Sequence, residues 1–437
     1  MYRLAIEELY RWKQHKNRKP LIIKGARQVG KTWLMREFGE NAYERTVYVN
    51  FDNNQRMRDL FSVDLNVKRI VTGLELYAGH QIDPVNTLLI FDEVQGVPEA
   101  LTSLKYFNET APEYQIICAG SLLGVALHHG TSFPVGKVEF LDLYPLSFSE
   151  FMQAMGKKQY VDLLSKGDFN MANTFKQEYM DLLRYYYYVG GMPEVVQAFT
   201  ESNDFNQARE IQMRILSSYE QDFSKHAPND VVPRIRMLWN SISAQLAKEN
   251  KKFIYGLIKE GARAKEYELA LLWLADCGLV HKVHRVTTPS IPLKAYEDMK
   301  AFKLFLLDVG LLSCMTRLRQ DTLLDGNELF KDFKGALTEQ YVLQQLKTLK
   351  GIETYYWASD RGNAEIDFVI DNGNDVIPIE VKAEINLQAK SLKAYRDNFN
   401  PRLSIRTSMT GYKSEVWLLN LPLWAVGTIA DIEETSL

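Results

Sequence analysis

Two groups of residues in this 437-residue chain have the types and spacing to do chemistry. The first is Gly25-Ala26-Arg27-Gln28-Val29-Gly30-Lys31-Thr32, which fits G-x-x-x-x-G-K-[ST] at every fixed position and runs on into Trp33. Glycines at the two ends let the backbone turn sharply and present its N–H groups to phosphate oxygens, and a following helix adds its partial positive charge. In such a loop Lys31 reaches the β- and γ-phosphates and the Thr32 hydroxyl ligates Mg²⁺. Asp92-Glu93 closes the apolar run Thr87–Phe91. There Asp92 is expected to hold Mg²⁺ through water and Glu93 to polarise the attacking water. Ser121, just past the run Gln115–Ala119, is a candidate contact to the γ-phosphate or that water, with an ordinary turn serine as the alternative. The set predicts binding of ATP with Mg²⁺.

The second group is Asp367, Glu380 and Lys382, with Glu339 further upstream. Alternation along a strand puts Glu380 and Lys382 on one face and Val381 on the other, and Asp367 on a neighbouring strand can face the same point. Carboxylates of this kind hold a hard cation through oxygen, and a lysine beside them orients or helps deprotonate water, so the arrangement suits Mg²⁺-dependent phosphodiester cleavage. Asp367 and Glu380 are its candidate metal ligands. Carboxylates crowded into a folded core repel unless a cation joins them. The alternative is that Lys382 neutralises Glu380 and Asp367 is simply solvated.

Elements must position these groups. Leu21–Ile23, Thr46–Phe51, Thr87–Phe91, Gln115–Ala119 and Lys137–Leu143 read as strands separated by helical stretches, which implies an α/β fold with a parallel sheet and its chemistry at the carboxyl ends of the strands. From Glu150 to about Lys225 the pattern is helical, with Gly190-Gly191-Met192-Pro193 as a break, and this stretch is expected to be a helical lid. Val231–Glu249, Arg263–Cys277, the alternating strand Leu279–Val286 and a wing at Pro289–Pro292 suggest a winged-helix unit. Its second helix begins with Arg263 and Lys265 but continues through Glu266, Glu268 and ALLWLA, so base readout by it is not favoured. Lys248, Lys251, Lys252, Lys282, His284 and Arg285 are candidate phosphate contacts or a solvated face. A helix at Lys334–Lys347, strands at Thr354–Trp357, Ala364–Ile370 and Asp375–Val381, and a helix at Leu387–Phe399 make the last α/β domain. The expected domains are 1–150, 151–229, 230–317 and 318–437.

Composition bounds the class. Hydrophobic residues are 46% and charged ones 24%, ordinary for a globular protein. A net charge of −3 leaves no global basic signal, so any nucleic-acid surface must be local. Cys118, Cys277 and Cys314 are far apart in apolar runs and read as core residues of a reduced, cytoplasmic protein. No apolar run reaches membrane-spanning length, so no membrane partner is expected.

GARQVGKT, LLIFDEVQ, CAGSLLG and Leu143–Phe151 together resemble a prokaryotic branch of the AAA-type ATPases in which the ATPase module is fused to a C-terminal domain of uncharacterised function. The similarity continues through Tyr188–Pro193, Ala244–Phe253 and Lys294–Leu312. It implies that the Gly-Gly-x-Pro turn lies against the adenine, the alternative being a plain helix stop. That branch usually places Gly-Arg before the LxPLSF segment, where this chain has Gly136-Lys137, and a lysine there supplies charge without arginine's bidentate fork. The last domain resembles the PD-(D/E)xK nuclease fold, with Glu339 matching the acidic residue of its first helix. The resemblance implies an ATPase whose nucleotide state gates nuclease-like and winged-helix domains on DNA or RNA. The alternatives are a DNA-binding regulator and a signalling ATPase with a protein partner, in both of which the nuclease-like domain is inactive. Homo-oligomerisation is a further expectation.

Overall fold

The computed structural model describes residues 1–120, 134–247, 252–325, 331–359, 364–383 and 390–432, and the chain divides into two compact units. The first unit comprises residues 2–144 with 276–278, and the second residue 1 with 145–275 and 279–437.

The first unit is built on a five-stranded sheet. Its strands are β1 (Leu21–Lys24), β2 (Arg45–Asn50), β3 (Thr87–Asp92), β4 (Gln115–Ala119) and β5 (Glu139–Asp142), in the order β2-β3-β4-β1-β5. All four pairings are parallel. Every residue of β3 and β4 is buried, as helices covering both faces of a parallel sheet require, whereas edge strands β2 and β5 alternate. Phe51, Phe61 and Phe91 meet edge-to-face, with centroids 5.3–5.9 Å apart, in the core on one side of this sheet. Cys118 lies in the same core, and burial pushes its thiol up, away from reactivity. Helix Lys31–Ala42 follows β1, and helices Gln55–Val63 and Val67–Ala78 lie between β2 and β3. Among the described residues no helix of the protein is long and apolar enough to cross a membrane.

The second unit combines helices with an eight-stranded mixed sheet. Its strands are β6 (Val280–Val286), β7 (Glu297–Leu306), β8 (Thr354–Ala358), β9 (Glu365–Asp371), β10 (Val376–Val381), β11 (Ser404–Ser408), β12 (Lys413–Glu415) and β13 (Leu418–Pro422), in the order β12-β13-β11-β10-β9-β8-β6-β7. This sheet crosses the boundary expected at 317/318. Arg285 and Val286 of β6 pair with Tyr356 and Trp357 of β8, and the Arg285 guanidinium donates to the Ala358 carbonyl at 2.7 and 3.1 Å. The hairpin that reads locally as a wing therefore continues the C-terminal sheet. Nothing in its alternating sequence announces a partner strand some seventy residues away.

Helix Lys331–Lys347 is buried almost all round between Ala336 and Leu346, which explains its glutamines. Buried backbone and side-chain groups need hydrogen-bond partners. Gln340 accepts from the Leu306 N–H at 2.9 Å and donates to the Leu306 carbonyl at 2.6 Å. Gln344 accepts from the Val309 N–H and donates to Asp308 and to the Tyr186 hydroxyl, each at 2.9 Å. Fully buried Asp308 also accepts from the N–H groups of Gly191 (2.6 Å) and Leu311 (2.9 Å). Burial raises its pKa while these hydrogen bonds oppose the rise. The Gly-Gly turn is thus packed inside this unit: Gly190 has φ +75°, a side chain there would strike Asp308, and the Gly191 carbonyl accepts from Leu146 at 2.7 Å. Both glycines are buried, and these contacts account for the motif as a packing junction.

Candidate functional site

The loop between β1 and helix Lys31–Ala42 has the shape its sequence demands. Gly25 sits at φ +148°, where a Cβ would collide with the Leu143 carbonyl, and Gly30 caps the helix from the left-handed region at φ +93°. Ala26 and Val29 face inward, Gln28 is exposed at φ +64°, Arg27 is half-buried, and Trp33 is exposed on the first turn of the helix. Arg3, which no motif singles out, braces the loop from behind. Its guanidinium donates to the carbonyls of Val29 (2.8 Å) and Tyr144 (2.6 Å).

Lys31 is 7% exposed, and its ammonium donates to the carbonyls of Gly25 (2.9 Å) and Ala26 (2.7 Å). Burial lowers its pKa, the carboxylates of Glu93 and Asp92 pull it back up, and Arg27 lowers it again, for a value of about 8. The Thr32 hydroxyl donates to Asp92 Oδ2 at 2.6 Å, and the Tyr48 hydroxyl donates to the same oxygen at 2.9 Å. The other carboxylate oxygen, Oδ1, accepts from the Glu93 N–H at 3.0 Å. Glu93 itself has φ +50°, a strained conformation for a non-glycine residue, and its Oε2 accepts from the Gln95 side chain at 2.6 Å. The structure therefore brings Lys31, Thr32, Asp92 and Glu93 together at the carboxyl ends of β1 and β3. Tyr48, with the Arg36 guanidinium 4.0 Å from its ring centroid, is an addition that strand alternation beside β3 would have revealed. Ser121 lies outside the described residues. Lys137 forms an ion pair with Glu109 at 3.0 Å.

The donor set fits Mg²⁺ and a triphosphate. Thr32 and Asp92 bring two oxygens into hydrogen-bond contact, and the buried Lys31 ammonium donates to two neutral carbonyls.

In the second unit β9 and β10 are antiparallel, with Ile379 opposite Phe368, so the next pair sets Glu380 opposite Asp367 on one face. Asp367 Oδ2 accepts from the Val381 N–H at 2.8 Å, and Lys382 lies 2.6 Å from Glu380 Oε1. Glu339, on helix Lys331–Lys347, joins through a residue that the motif does not contain. Lys303 of β7 is fully buried, with its ammonium 2.5 Å from Glu365, 3.8 Å from Glu339 and 4.0 Å from Asp367. Burial alone would lower its pKa; Glu339, Glu365 and Asp367 outweigh that and raise it. A cation does join these carboxylates, and it is the internal ammonium of Lys303, which lies within 4.0 Å of three of them. Among the described residues no three His, Cys, Asp or Glu side chains are arranged to hold a metal ion. Glu365 was legible from alternation, two positions before Asp367. Lys303 was not.

The helix that would read DNA, Ala264–Asp276, exposes Lys265, Glu266, Glu268, Leu269 and Leu272, with the leucines 65% and 43% exposed. Arg285 is engaged with Ala358, His284 lies 3.4 Å from Glu297, and the Lys282 ammonium sits 5.4 Å from the Phe302 ring centroid. Lys248 and Lys251 lie outside the described residues.

A parallel sheet with this loop and acidic pair defines a P-loop module. Residues 17–152 match a family described as an AAA domain, so the module is of the AAA type. Residues 180–322 and 334–424 match two families described as domains of unknown function, DUF8612 and DUF4143. No curated protein matches the sequence. Among solved structures, the chain is similar to the Walker-type ATPase PABY2304 of Pyrococcus abyssi at 14% identity and a TM-score of 0.43, covering 71% of this chain and 94% of that one. It is also similar to the Aeropyrum pernix ORC1 protein, solved in complex with DNA, at 14% identity and a TM-score of 0.30, covering 73% and 93%. For CDC6P of Pyrobaculum aerophilum the values are 11%, 0.25, 73% and 93%. Likenesses this distant carry no functional argument.

Proposed function

We propose that the protein binds Mg²⁺–ATP at Gly25–Trp33 and hydrolyses it, and that nucleotide state governs what the rest of the chain does. The observation that carries this reading is the 2.6 Å contact between Thr32 and Asp92 beside a buried Lys31. On binding, Lys31 exchanges the carbonyls of Gly25 and Ala26 for β- and γ-phosphate oxygens, and the loop N–H groups together with the helix N-terminus take the remaining charge. Thr32 and Asp92 would hold Mg²⁺, which supplies charge neutralisation across the transferring phosphoryl group. Glu93, its carboxylate steadied by Gln95, accepts a hydrogen bond from the attacking water and orients it.

For the rest of the chain, the winged-helix, lid and nuclease-like readings stand as proposals. The order of Glu339, Asp367, Glu380 and Lys382 supports a PD-(D/E)xK-like layout, on which the nucleic-acid reading rests. One observation favours the second reading, a signalling ATPase with a protein partner. The helix Ala264–Asp276 exposes two leucines among mixed charges, a surface better suited to an apolar protein contact than to phosphates. ATP turnover by the full chain, with and without single- and double-stranded DNA, tests both. Turnover that DNA accelerates supports the nucleic-acid reading, turnover indifferent to DNA supports the protein-partner reading, and no turnover at all overturns the ATPase assignment.

A further inference from the structure

We infer that the carboxylate cluster of the second unit is closed by the ammonium of Lys303 in place of a divalent cation. Three observations carry this, and none depends on the nucleotide site. The first is position. Lys303 comes from β7, three strands along the sheet from β9, yet its ammonium reaches Glu365 at 2.5 Å with Glu339 and Asp367 at 3.8 and 4.0 Å. It is entirely buried, with the Tyr356 ring centroid 5.0 Å away, so the cation is walled in among its carboxylates.

The second is charge. Four carboxylates face this region: Glu339, Glu365, Asp367 and Glu380. Lys382 pairs with Glu380 at 2.6 Å, and Arg406 of β11 stands in register beside Glu380, nearly buried. Lys303, Lys382 and Arg406 together supply three positive charges against four negative ones, so most of the repulsion that would recruit a divalent ion is already relieved.

The third is the donor set. Asp367 Oδ2 accepts the Val381 N–H, and Glu380 Oε1 is taken by Lys382. Mg²⁺, which demands near-octahedral geometry at about 2.1 Å, would then depend on the remaining oxygens; of these Asp367 Oδ1 already faces the Lys303 ammonium at 4.0 Å, and Glu380 Oε2 is buried without a hydrogen-bond partner. A PD-(D/E)xK-like layout thus carries its own cation at its centre, and the residues do not fit a resident metal.

Mn²⁺ titration of the nucleotide-free full chain, followed by electron paramagnetic resonance of the free ion, tests this. The wild type and Asp367→Asn are expected to give superimposable curves. Lys303→Met, which keeps the side-chain length and removes the charge, is expected to gain one Mn²⁺ site at least tenfold tighter than anything in the wild type. That site should vanish again in Lys303→Met/Asp367→Asn. A wild-type Mn²⁺ site lost in Asp367→Asn overturns the inference, and so does a folded Lys303→Met that gains nothing. If Lys303→Met does not fold, the comparison of wild type with Asp367→Asn decides by itself. The absence of nucleotide keeps either outcome separate from the fate of the ATPase reading.

Discussion

Two buried lysines, one in each unit, have opposite surroundings. Burial pushes both toward neutrality, yet Lys31 ends with its pKa lowered to about 8 and Lys303 with its pKa raised. The partners decide the sign. Lys31 rests on two neutral carbonyls, with the carboxylates of Asp92 and Glu93 only partly offsetting desolvation. Lys303 rests among three carboxylates that outweigh it. A lysine short of negative charge is prepared for an anionic ligand, whereas one already matched completes a cluster. The same residue type thus meets neutral carbonyls in one unit and a ring of carboxylates in the other.

The contrast breaks most visibly at Lys303. Lys303→Met leaves buried carboxylates without their cation and is expected to lower the unfolding free energy by about 3–5 kcal/mol in chemical denaturation, with Glu365→Gln in the same background restoring part of the loss. A loss below about 1 kcal/mol would mean that the cluster is solvated and Lys303 incidental. Next in size, Glu93→Gln is expected to slow ATP turnover by about 10²–10³-fold while leaving ATP affinity within a few-fold, because only the acceptor that orients water is weakened. Turnover at the wild-type level would place the catalytic carboxylate elsewhere. Tyr48→Phe removes one hydrogen bond to Asp92 and should weaken Mg²⁺-dependent ATP binding by about 1 kcal/mol, read by calorimetry with and without Mg²⁺. Equal losses in the two conditions would show that Tyr48 acts on the fold rather than on the metal-binding face of Asp92.

The two lysines also differ with pH. An unfolded lysine holds its proton to about 10.5, so between about 8 and 10.5 the unfolded chain binds more protons at Lys31 than the folded one. The nucleotide-free protein therefore gains stability from Lys31 as pH rises through that window. Lys303 contributes stability that is fully present below about 10.5 and is lost only as pH rises through its still higher folded value.

How far the two sites were legible follows from the same contrast. The nucleotide site is assembled mainly from one contiguous stretch, a strand, a glycine loop and a helix start, with Asp92 and Glu93 added at the end of a second apolar run, Thr87–Phe91. Local spacing therefore names most of it, and the supporting residues Arg3, Tyr48 and Gln95 are the ones it does not name. The cluster in the second unit depends on pairing between distant strands. Asp367, Glu380 and Glu365 are readable from alternation, but Lys303 sits in the apolar stretch Ala301–Leu307, where one lysine looks like an interruption of a core strand. Only the approach of β7 and the helix Lys331–Lys347 to β9 gives it partners. The sheet likewise joins β6 to β8 across an expected boundary, because each local pattern is that of a strand and neither says which strand it meets. β11 escaped for a different reason: Ser404-Ile405-Arg406-Thr407-Ser408 is buried throughout yet mostly polar, its side chains satisfied in part by Asn420.

The most direct measurement is calorimetry of Mg²⁺–ATP binding to the full chain at pH 7 and pH 9, each in two buffers of different ionisation enthalpy. A Lys31 poised at about 8 without ligand is largely neutral at pH 9 and must regain its proton to meet the phosphates. Binding should then be weaker at pH 9 than at pH 7, with proton uptake approaching one per ATP at pH 9 and small at pH 7, and Lys31→Ala should lose at least about 10²-fold in affinity at pH 7. Undetectable binding by the wild type, or an affinity and proton balance that Lys31→Ala leaves unchanged, would contradict the account.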